Sequence, residues 1–150
     1  MSPYLLSPLP AMLGIRAGSK VSLLNPPPGF VQRLNPLPEG VEFLVTASTG
    51  LDVILFFTGD KVELLERLPA LSRAMAVTGS IWVIWPRPKL GTQPRHTLSE
   101  DFIRLAALEM GLVDNKICVL DETWTGLRLV WRPRGPRPEK PSTKSASAEA

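Results

Sequence analysis

Short apolar runs alternate along the chain with stretches in which apolar residues recur every three or four positions. The runs are rich in β-branched and aromatic residues and are bounded by turn-forming residues, which is typical of strands. They predict strands over 20–24, 41–45, 52–57, 80–85, 116–120 and 126–132. The run DVILFF at 52–57 is continuously apolar, as expected for a strand that is buried on both faces of a sheet.

The stretch after the third run predicts an amphipathic helix over 61–75. Its apolar residues recur at helical spacing and form one stripe. Asp60 has the position of an N-cap, with Glu63 as the reciprocal partner of a capping box. Pro69 is expected to kink this helix or to split it in two, because proline removes a helical hydrogen bond.

Further helical segments are indicated elsewhere in the chain. TLSE at 97–100 is a capping-box pattern that starts with Thr97 and opens a second long helix, for which Gly111 is well placed as the C-cap. Shorter helical turns are predicted within 7–15 and over 30–34.

Strands that alternate with helices predict a mostly parallel sheet with right-handed crossovers. The last two strands are joined only by DETWT at 121–125, and so short a link requires an antiparallel hairpin. The predicted fold class is α/β, a three-layer, Rossmann-like, mostly parallel sheet of about six strands with a C-terminal antiparallel hairpin. Residues 1–132 are expected to form this single domain. Residues 133–150 are expected to form a disordered basic tail, because they lack apolar periodicity.

This order of elements resembles the class I, Rossmann-like methyltransferase fold. AMAVTGSIWVIWP at 74–86 is similar to a helix–turn–strand step of that family, and KICVLDETWTGLRLVW at 116–131 is similar to its closing antiparallel pair. In an open parallel sheet, ligands bind beyond the carboxyl ends of the strands. The resemblance therefore implies a site for S-adenosylmethionine (SAM) at that edge.

A closer resemblance is to a bacterial family of small uncharacterised proteins, a domain-of-unknown-function family. It is carried, in order, by LGIRAG at 13–18, VSLLNPPPGF at 21–30, LPEGVEFL at 37–44, DVILFF, IWVIWP and DETWTGLRLV at 121–130. The family has no established activity, so the resemblance implies none. Arg87 follows the Trp-Pro step, where lysine is usual in that family, and a guanidinium is not equivalent to an amine.

The loop after the first predicted strand departs from the SAM site that the methyltransferase resemblance implies. Asn25 and Gly29 frame three prolines, which have no backbone N–H to offer, and Gly29 is the only glycine. The second predicted strand ends in TAST at 46–49, without the acidic residue that would hold ribose hydroxyls. The prolines are therefore interpreted as a rigid cap on the sheet edge. Asn25 and Gly29 remain candidate ligand contacts.

The loop 86–96 is the best candidate for an anion site. Arg87, Lys89 and Arg95 lie in it without an acidic neighbour, and it leads into a predicted helix N-terminus, which favours anions. The alternative is a solvated basic loop, because a charge cluster without geometry does not define a site. Trp85, at the same edge, is either a surface on which a ligand stacks or a core residue.

DETW at 121–124 places two carboxylates and an indole at a sheet edge. Paired carboxylates can perform acid–base chemistry when their pKa values differ. Adjacent residues of a turn usually point apart, so Asp121 and Glu122 are retained as candidate ligand contacts, without a catalytic role. Asp121 can instead bond the backbone of the turn, and Trp124 is expected to close the end of the core.

Other chemistries lack the residues they need. His96 is the only histidine and Cys118 the only cysteine, so neither an intramolecular disulfide nor the usual structural zinc site can be built. The chain has no Gly-x-Ser-x-Gly elbow and no P-loop. We therefore expect no metal, and we expect Cys118 to be a small buried residue within a strand.

Composition and charge predict a cytoplasmic protein that binds neither membrane nor nucleic acid. The 150 residues are 44% hydrophobic, and no apolar run approaches the roughly 20 residues of a membrane-spanning helix. The net charge of +3 divides into +2 for 133–150 and +1 for 1–132, so the domain lacks the basic face of a typical nucleic-acid binder. The tail either contacts acidic partners or is simply solvated.

These observations favour a non-catalytic Rossmann-like domain that binds a protein or a small anionic ligand and requires no cofactor. The alternative is a divergent SAM-dependent methyltransferase, which rests on analogy of fold. The loop after the first predicted strand lacks the glycines of a SAM site, and the second predicted strand ends without an acidic residue. These two absences favour the non-catalytic domain over the methyltransferase. No residue is assigned a catalytic role.

Overall fold

The structure is a computed structural model that describes residues 8–45, 48–87 and 98–133. Its strands are β1 (Lys20–Leu24), β2 (Glu42–Phe43), β3 (Leu51–Phe57), β4 (Met75–Pro86), β5 (Leu112–Val119) and β6 (Trp124–Trp131). Its helices are α1 (Leu9–Leu13), α2 (Phe30–Arg33), α3 (Lys61–Ala74) and α4 (Glu100–Glu109). Most of the predicted tail, and the loop residues Lys89 and Arg95, lie outside the described residues.

The strands form one sheet in the order β2-β1-β3-β4-β6-β5. The first four strands of that order are parallel to one another, and β6 is antiparallel to both of its neighbours. It follows that β5 runs in the same direction as β4. The predicted fold class is confirmed: a mostly parallel α/β sheet that ends in an antiparallel hairpin.

Helices cover both faces of the sheet and make the three layers. On one face, Leu13 of α1 and Phe30 of α2 pack with Trp82 of β4 in one hydrophobic cluster. On the other face, α3 and α4 pack in a second cluster that includes Trp85. The two tryptophans lie three positions apart on β4 and therefore face opposite sides of the sheet.

The start of α3 was predicted in part. Asp60 is the N-cap, and its Oδ2 accepts a hydrogen bond from the backbone N–H of Glu63 at 2.9 Å. The predicted return bond from the Glu63 side chain is wrong, because that carboxylate binds residues at the sheet edge instead. The helix also passes through Pro69 as a single element, so the predicted split does not occur.

The start of α4 lies two residues later than predicted. Ser99, rather than Thr97, is the N-cap, and its Oγ accepts a hydrogen bond from Phe102 N at 3.2 Å. The extended backbone of Ser99 suits that position. At the other end, Met110 is the C-cap and Gly111 follows it with a left-handed φ of +82°, which glycine adopts without steric cost.

Several strands begin or end at other residues than predicted, because pairing with a neighbouring strand sets their length. β2 has only two residues, because only Lys20 and Val21 of β1 pair with it. β5 and β6 begin earlier than their apolar runs, at Leu112 and Trp124, because the two strands pair along nearly their whole length.

β4 also starts earlier than predicted, and Gly79 lies inside the strand rather than before it. Met75 pairs with Leu51 of β3, and a register shift follows before the pairing resumes at Val53. A Cβ on Gly79 would lie 2.6 Å from the carbonyl oxygen of Leu51. Only glycine fits there, because the two backbones approach each other so closely at the bulge.

No helix within the described ranges is long and apolar enough to cross a bilayer.

Candidate ligand-binding edge

The carboxyl edge of the parallel strands brings together most of the residues that were singled out in the sequence. Asn25 follows β1, Thr58 follows β3, Arg87 follows β4 and Asp121 follows β5. The backbone N–H of Arg87 donates to the carbonyl of Thr123 at 2.7 Å, which joins the ends of two of these segments. Since β5 runs in the same direction as β4, the DETW link lies at the same edge as the ends of the other parallel strands.

Asn25 reverses the chain after β1 and is anchored to the end of β3. It has a left-handed φ of +56°, which asparagine tolerates better than most residues. Its Nδ2 donates to the carbonyl of Phe57 at 3.1 Å and to Oε2 of Glu63 at 3.0 Å. Both amide hydrogens of the candidate contact Asn25 are therefore engaged within the protein.

Glu63 completes this network from the first turn of α3. Its Oε1 accepts a hydrogen bond from the Thr58 hydroxyl at 2.5 Å, and the Thr58 oxygen accepts in turn from the backbone N–H of Asp60 at 3.2 Å. A carboxylate at a helix N-terminus is also favoured by the helix dipole. The Asn25–Glu63–Thr58 network thus ties together the ends of β1, β3 and α3.

This role of Glu63 has no direct signal in the sequence. Its spacing from Asp60 predicts the reciprocal partner of a capping box instead. The competing partners, Asn25 and Thr58, become neighbours only when β1 and β3 pair. Only the strand order, together with the position of Thr58 directly after β3, predicts this role.

The proline loop does not present amides to a ligand. Pro26 and Pro28 are exposed and have no N–H, and the N–H of Phe30 donates to the carbonyl of Pro27 at 3.1 Å. Gly29 adopts a φ of +83° as the N-cap of α2, and a Cβ there would meet no atom within 4 Å. Gly29 thus serves the turn, and its role as a ligand contact stays a prediction.

These residues do not fit the usual SAM site. Such a site needs backbone N–H groups after β1 and a carboxylate at the end of β2. The loop at 26–28 has no donors, residues 44–49 contain no acid, and the nearest carboxylate on α3, that of Glu63, already has two partners in the protein.

Asp121 holds the β5–β6 turn together. Its Oδ1 accepts hydrogen bonds from the backbone N–H groups of Thr123 at 2.7 Å and Trp124 at 2.8 Å, and its Oδ2 forms a salt bridge with Arg33 at 2.7 Å. Burial alone would raise the pKa of Asp121, but the two backbone bonds and the Arg33 charge together lower it below its usual value. The structural alternative for Asp121, a bond to the turn backbone, is confirmed.

Aromatic rings close the core beneath this turn. The rings of Phe30 and Phe57 meet edge to face with centroids 4.7 Å apart, and those of Phe57 and Trp124 at 5.3 Å. The guanidinium of Arg33 lies 5.9 Å from the Phe30 ring and so spans from α2 to the turn. Trp124 closes the end of the core, as predicted, while the contribution of Arg33 had no signal in the sequence.

The remaining candidates are less favourably placed for a ligand. Trp85 is 3% exposed and belongs to the core, so its ring has little surface for stacking. Arg87 is partly exposed, and its Nη1 donates to the Asp121 carbonyl at 3.3 Å. Glu122 is exposed beside the turn. Lys89 and Arg95 are not described, so the anion site of their loop stays a prediction.

Within the described ranges, no group of three His, Cys, Asp or Glu side chains could hold a metal ion. The expectation of no metal stays a prediction. Cys118 is buried on β5, and burial raises the pKa of its thiol, although the charge of Lys116 opposes the shift. Cys118 is therefore the small buried residue that the sequence predicted.

The network at the end of β3 yields a first stability prediction. Replacing Glu63 with alanine should lower the free energy of unfolding by about 1–2 kcal/mol, because the amide of Asn25 and the hydroxyl of Thr58 each lose a charged acceptor. Chemical denaturation of both proteins measures the difference. Glu66→Ala, on the exposed side of the same helix, is the matched control and should change stability by less than about 0.5 kcal/mol. Equal effects of the two substitutions would show that the network contributes nothing.

Comparisons with known proteins find similarity of structure but not of sequence. No family model matches the chain, and no curated protein matches it. The resemblance to a bacterial family of uncharacterised proteins therefore stays a prediction.

Three solved structures illustrate the similarity of fold. A protein from Sulfolobus solfataricus, provisionally assigned as a type 11 methyltransferase, is 16% identical with a TM-score of 0.59 over 86% of this chain and 92% of that one. A SAM-dependent methyltransferase from Aquifex aeolicus is 14% identical with a TM-score of 0.58 over 79% and 85%. LepI, in complex with SAH and a substrate analogue, is 14% identical with a TM-score of 0.53 over 84% and 47%.

Identities this low show a common fold and nothing finer. The six-stranded sheet with its closing antiparallel hairpin is similar in fold to the Sulfolobus solfataricus and Aquifex aeolicus proteins. The chain therefore has the Rossmann-like fold of class I, SAM-dependent methyltransferases.

Proposed function

We propose that this protein is a non-catalytic binding domain that keeps the methyltransferase scaffold without its cofactor site. The Asn25–Glu63–Thr58 network carries the proposal. It occupies the ends of β1 and β3, where a Rossmann-like fold normally receives its cofactor, with hydrogen bonds made inside the protein. The proline loop beside it presents a rigid surface to a ligand but no backbone N–H donors from its prolines.

The binding surface in this proposal is the outer side of the carboxyl edge. Exposed prolines, the Arg33–Asp121 salt bridge and the exposed Glu122 lie there on neighbouring segments. A rigid edge of this kind suits a protein partner, while the basic loop that contains Arg87, with Lys89 and Arg95 in its undescribed part, would suit a small anionic ligand. On the basis of its composition and sequence resemblance, we place the protein in the bacterial cytoplasm.

A divergent SAM-dependent methyltransferase is the second candidate. The similarity of fold to the Aquifex aeolicus and Sulfolobus solfataricus proteins, over most of both chains, favours it. Fold alone does not imply activity, since unrelated functions share this scaffold. Under this alternative, SAM would have to bind without the usual amides and ribose acid.

A thermal-shift titration separates the two candidates. SAM and S-adenosylhomocysteine should leave the unfolding midpoint unchanged up to millimolar concentration, whereas a ligand present at 100 times its Kd would add about 2.7 kcal/mol of stability. A saturable shift with either compound would reject the non-catalytic proposal in favour of the methyltransferase. A shift with phosphorylated metabolites that disappears in an Arg87→Ala/Arg95→Ala variant would identify the basic loop as the ligand contact.

A further inference from the structure

Three basic residues lie near the end of α1 on one face of the sheet. Lys116 on β5 and Arg128 on β6 are directly opposite each other in the antiparallel register, so their side chains leave the sheet on the same face. The same face carries α1, because Trp82, the register partner of Arg128 on β4, packs against it. Arg16 follows α1 in the chain.

Contacts with α1 define the positions of two of these cations. The Nζ of Lys116 donates a hydrogen bond to the carbonyl of Met12 at 3.3 Å. The Nη2 of Arg128 lies 3.8 Å from the position that a Cβ would take on Gly14. Both side chains therefore point towards the last turn of α1 from neighbouring strands.

The loop that carries Arg16 is held by its own hydrogen bonds. Ile15 N donates to the carbonyl of Pro10 at 2.9 Å, and Arg16 N donates to Oγ of Ser19 at 2.9 Å. These bonds set the backbone of Arg16 two residues beyond Gly14, the residue that Arg128 approaches. Arg16 therefore lies close in the chain to the residue that Arg128 approaches, and its charge acts on Arg128.

No carboxylate balances this charge within the described part of the chain. Neither Arg16, Lys116 nor Arg128 takes part in a salt bridge there, and the Arg128 guanidinium has no hydrogen-bond acceptor. Asp114, two residues before Lys116, is paired with Arg104 of α4 on the opposite face. Burial lowers the pKa of Arg128, and the charge of Arg16 lowers it further, as expected for like charges without a counter-charge.

We propose that Arg16, Lys116 and Arg128 form a binding site for the phosphate group of a small molecule. A guanidinium offers two parallel N–H donors that match phosphate oxygens, and the ammonium group adds a point charge. An ion with two negative charges would neutralise most of the cluster and would give Arg128 an acceptor, for which the described ranges provide none. The exposed side chains of Arg16 and Lys116 leave the cluster open to solvent.

Stabilisation of the helix end does not account for the whole cluster. Cations are favoured near the carbonyl end of a helix, and the Lys116–Met12 bond is of that kind. However, α1 has only five residues, and the Arg128 guanidinium has no carbonyl partner in the described ranges. Within the described ranges, no anion balances the charges of Arg16 and Arg128, and a bound anion would balance them.

This phosphate site is separate from the carboxyl edge and does not depend on the function proposed there. Arg128 lies four residues along β6 from Trp124, which is about 13 Å at roughly 3.3 Å per residue. It also differs from the loop that contains Arg87. A ligand at one site can therefore be distinguished from a ligand at the other by substitution.

The test uses the full chain in a phosphate-free zwitterionic buffer, with pyrophosphate and inorganic phosphate as probes. For the wild-type protein we expect a saturable rise in the unfolding midpoint with pyrophosphate, and a binding isotherm by calorimetry. Arg128→Met should weaken pyrophosphate binding at least tenfold. Arg73→Met, on the exposed surface of α3, is the control that should leave binding within twofold.

The midpoint without any anion separates ligand binding from a structural role. If Arg128 serves a ligand, Arg128→Met should match or exceed the wild-type midpoint in the absence of anions, because it removes a like charge. If Arg128 only stabilises α1, the variant should unfold at a lower temperature with or without pyrophosphate, and the proposal would be wrong. Should Arg128→Met fail to fold, Arg16→Met, in the exposed loop, should weaken binding at least threefold.

Two other outcomes would also reject the site. One is the absence of any saturable effect of either probe on the wild-type protein. The other is binding of an acidic polypeptide or of RNA without binding of pyrophosphate, which would indicate a macromolecular surface rather than a phosphate site.

Discussion

Replacing Trp82 with alanine should lower the free energy of unfolding by about 3–5 kcal/mol, the cost of truncating a fully buried aromatic residue. Trp82 is 0% exposed and lies in the cluster that joins α1 and α2 to the sheet. A Cβ on Gly126 of the neighbouring strand would lie only 3.0 Å from Cε3 of its ring. The cavity left by the indole could therefore close only if β6 or α1 moved.

Two further variants make this prediction specific, one at Trp82 itself and one at another position of β4. Trp82→Phe retains much of the ring but loses the bond from Nε1 to the Leu13 carbonyl, at 2.9 Å, and should cost about 1–2 kcal/mol. Val77→Ala, at a position 84% exposed on β4, should cost less than about 0.5 kcal/mol. Urea denaturation measures all three. A Trp82→Ala variant no less stable than Val77→Ala would mean that the α1 side of the core contributes little.

Replacing Asp121 with alanine should cost about 2 kcal/mol at pH 7, because two backbone N–H groups and the Arg33 guanidinium lose a charged acceptor. The salt bridge is partly exposed, so solvent screening reduces its share and the turn bonds supply most of this loss. Glu122→Ala, at the exposed neighbouring position, is the matched control and should be nearly neutral.

The stabilisation that Asp121 provides should be lost as the pH falls. The folded protein lowers the pKa of Asp121, so the folded state binds fewer protons than the unfolded state at acid pH. The stabilisation is complete above the unfolded pKa of about 3.9 and is lost as pH falls through the lower folded pKa. Wild type and Asp121→Ala should therefore differ by a constant amount from pH 8 to pH 5 and converge below about pH 4. A difference that grew on acidification would contradict this assignment.

The architecture followed from the sequence because periodicity and connection length are local properties. The continuous apolar run of β3 required burial on both faces, and the short DETWT link required an antiparallel hairpin. The first and last residues of the strands could not be predicted in the same way, because they depend on pairing with neighbouring strands. β4 extends back to Met75 since that residue pairs with Leu51, and no feature of 75–79 itself indicates a strand.

The site could be predicted only in outline. The sequence identified which loops meet at the carboxyl edge, and it identified the missing glycines and acid. It could not show that Glu63 would turn from its own helix cap towards Asn25, or that Arg33 would reach Asp121, 88 positions away. Such pairings are set by strand order and register, which bring together residues that carry no mutual signal along the chain.

The position of β6 between β4 and β5 determines when the sheet can be completed during synthesis. The ribosome releases β4 and β5 first, but neither can pair with the other, because the strand that joins them is made last. Until residue 131 has emerged, β4 presents an open edge of apolar residues, a template for pairing with other chains. The nascent chain therefore passes through an aggregation-prone stage that the finished protein does not display.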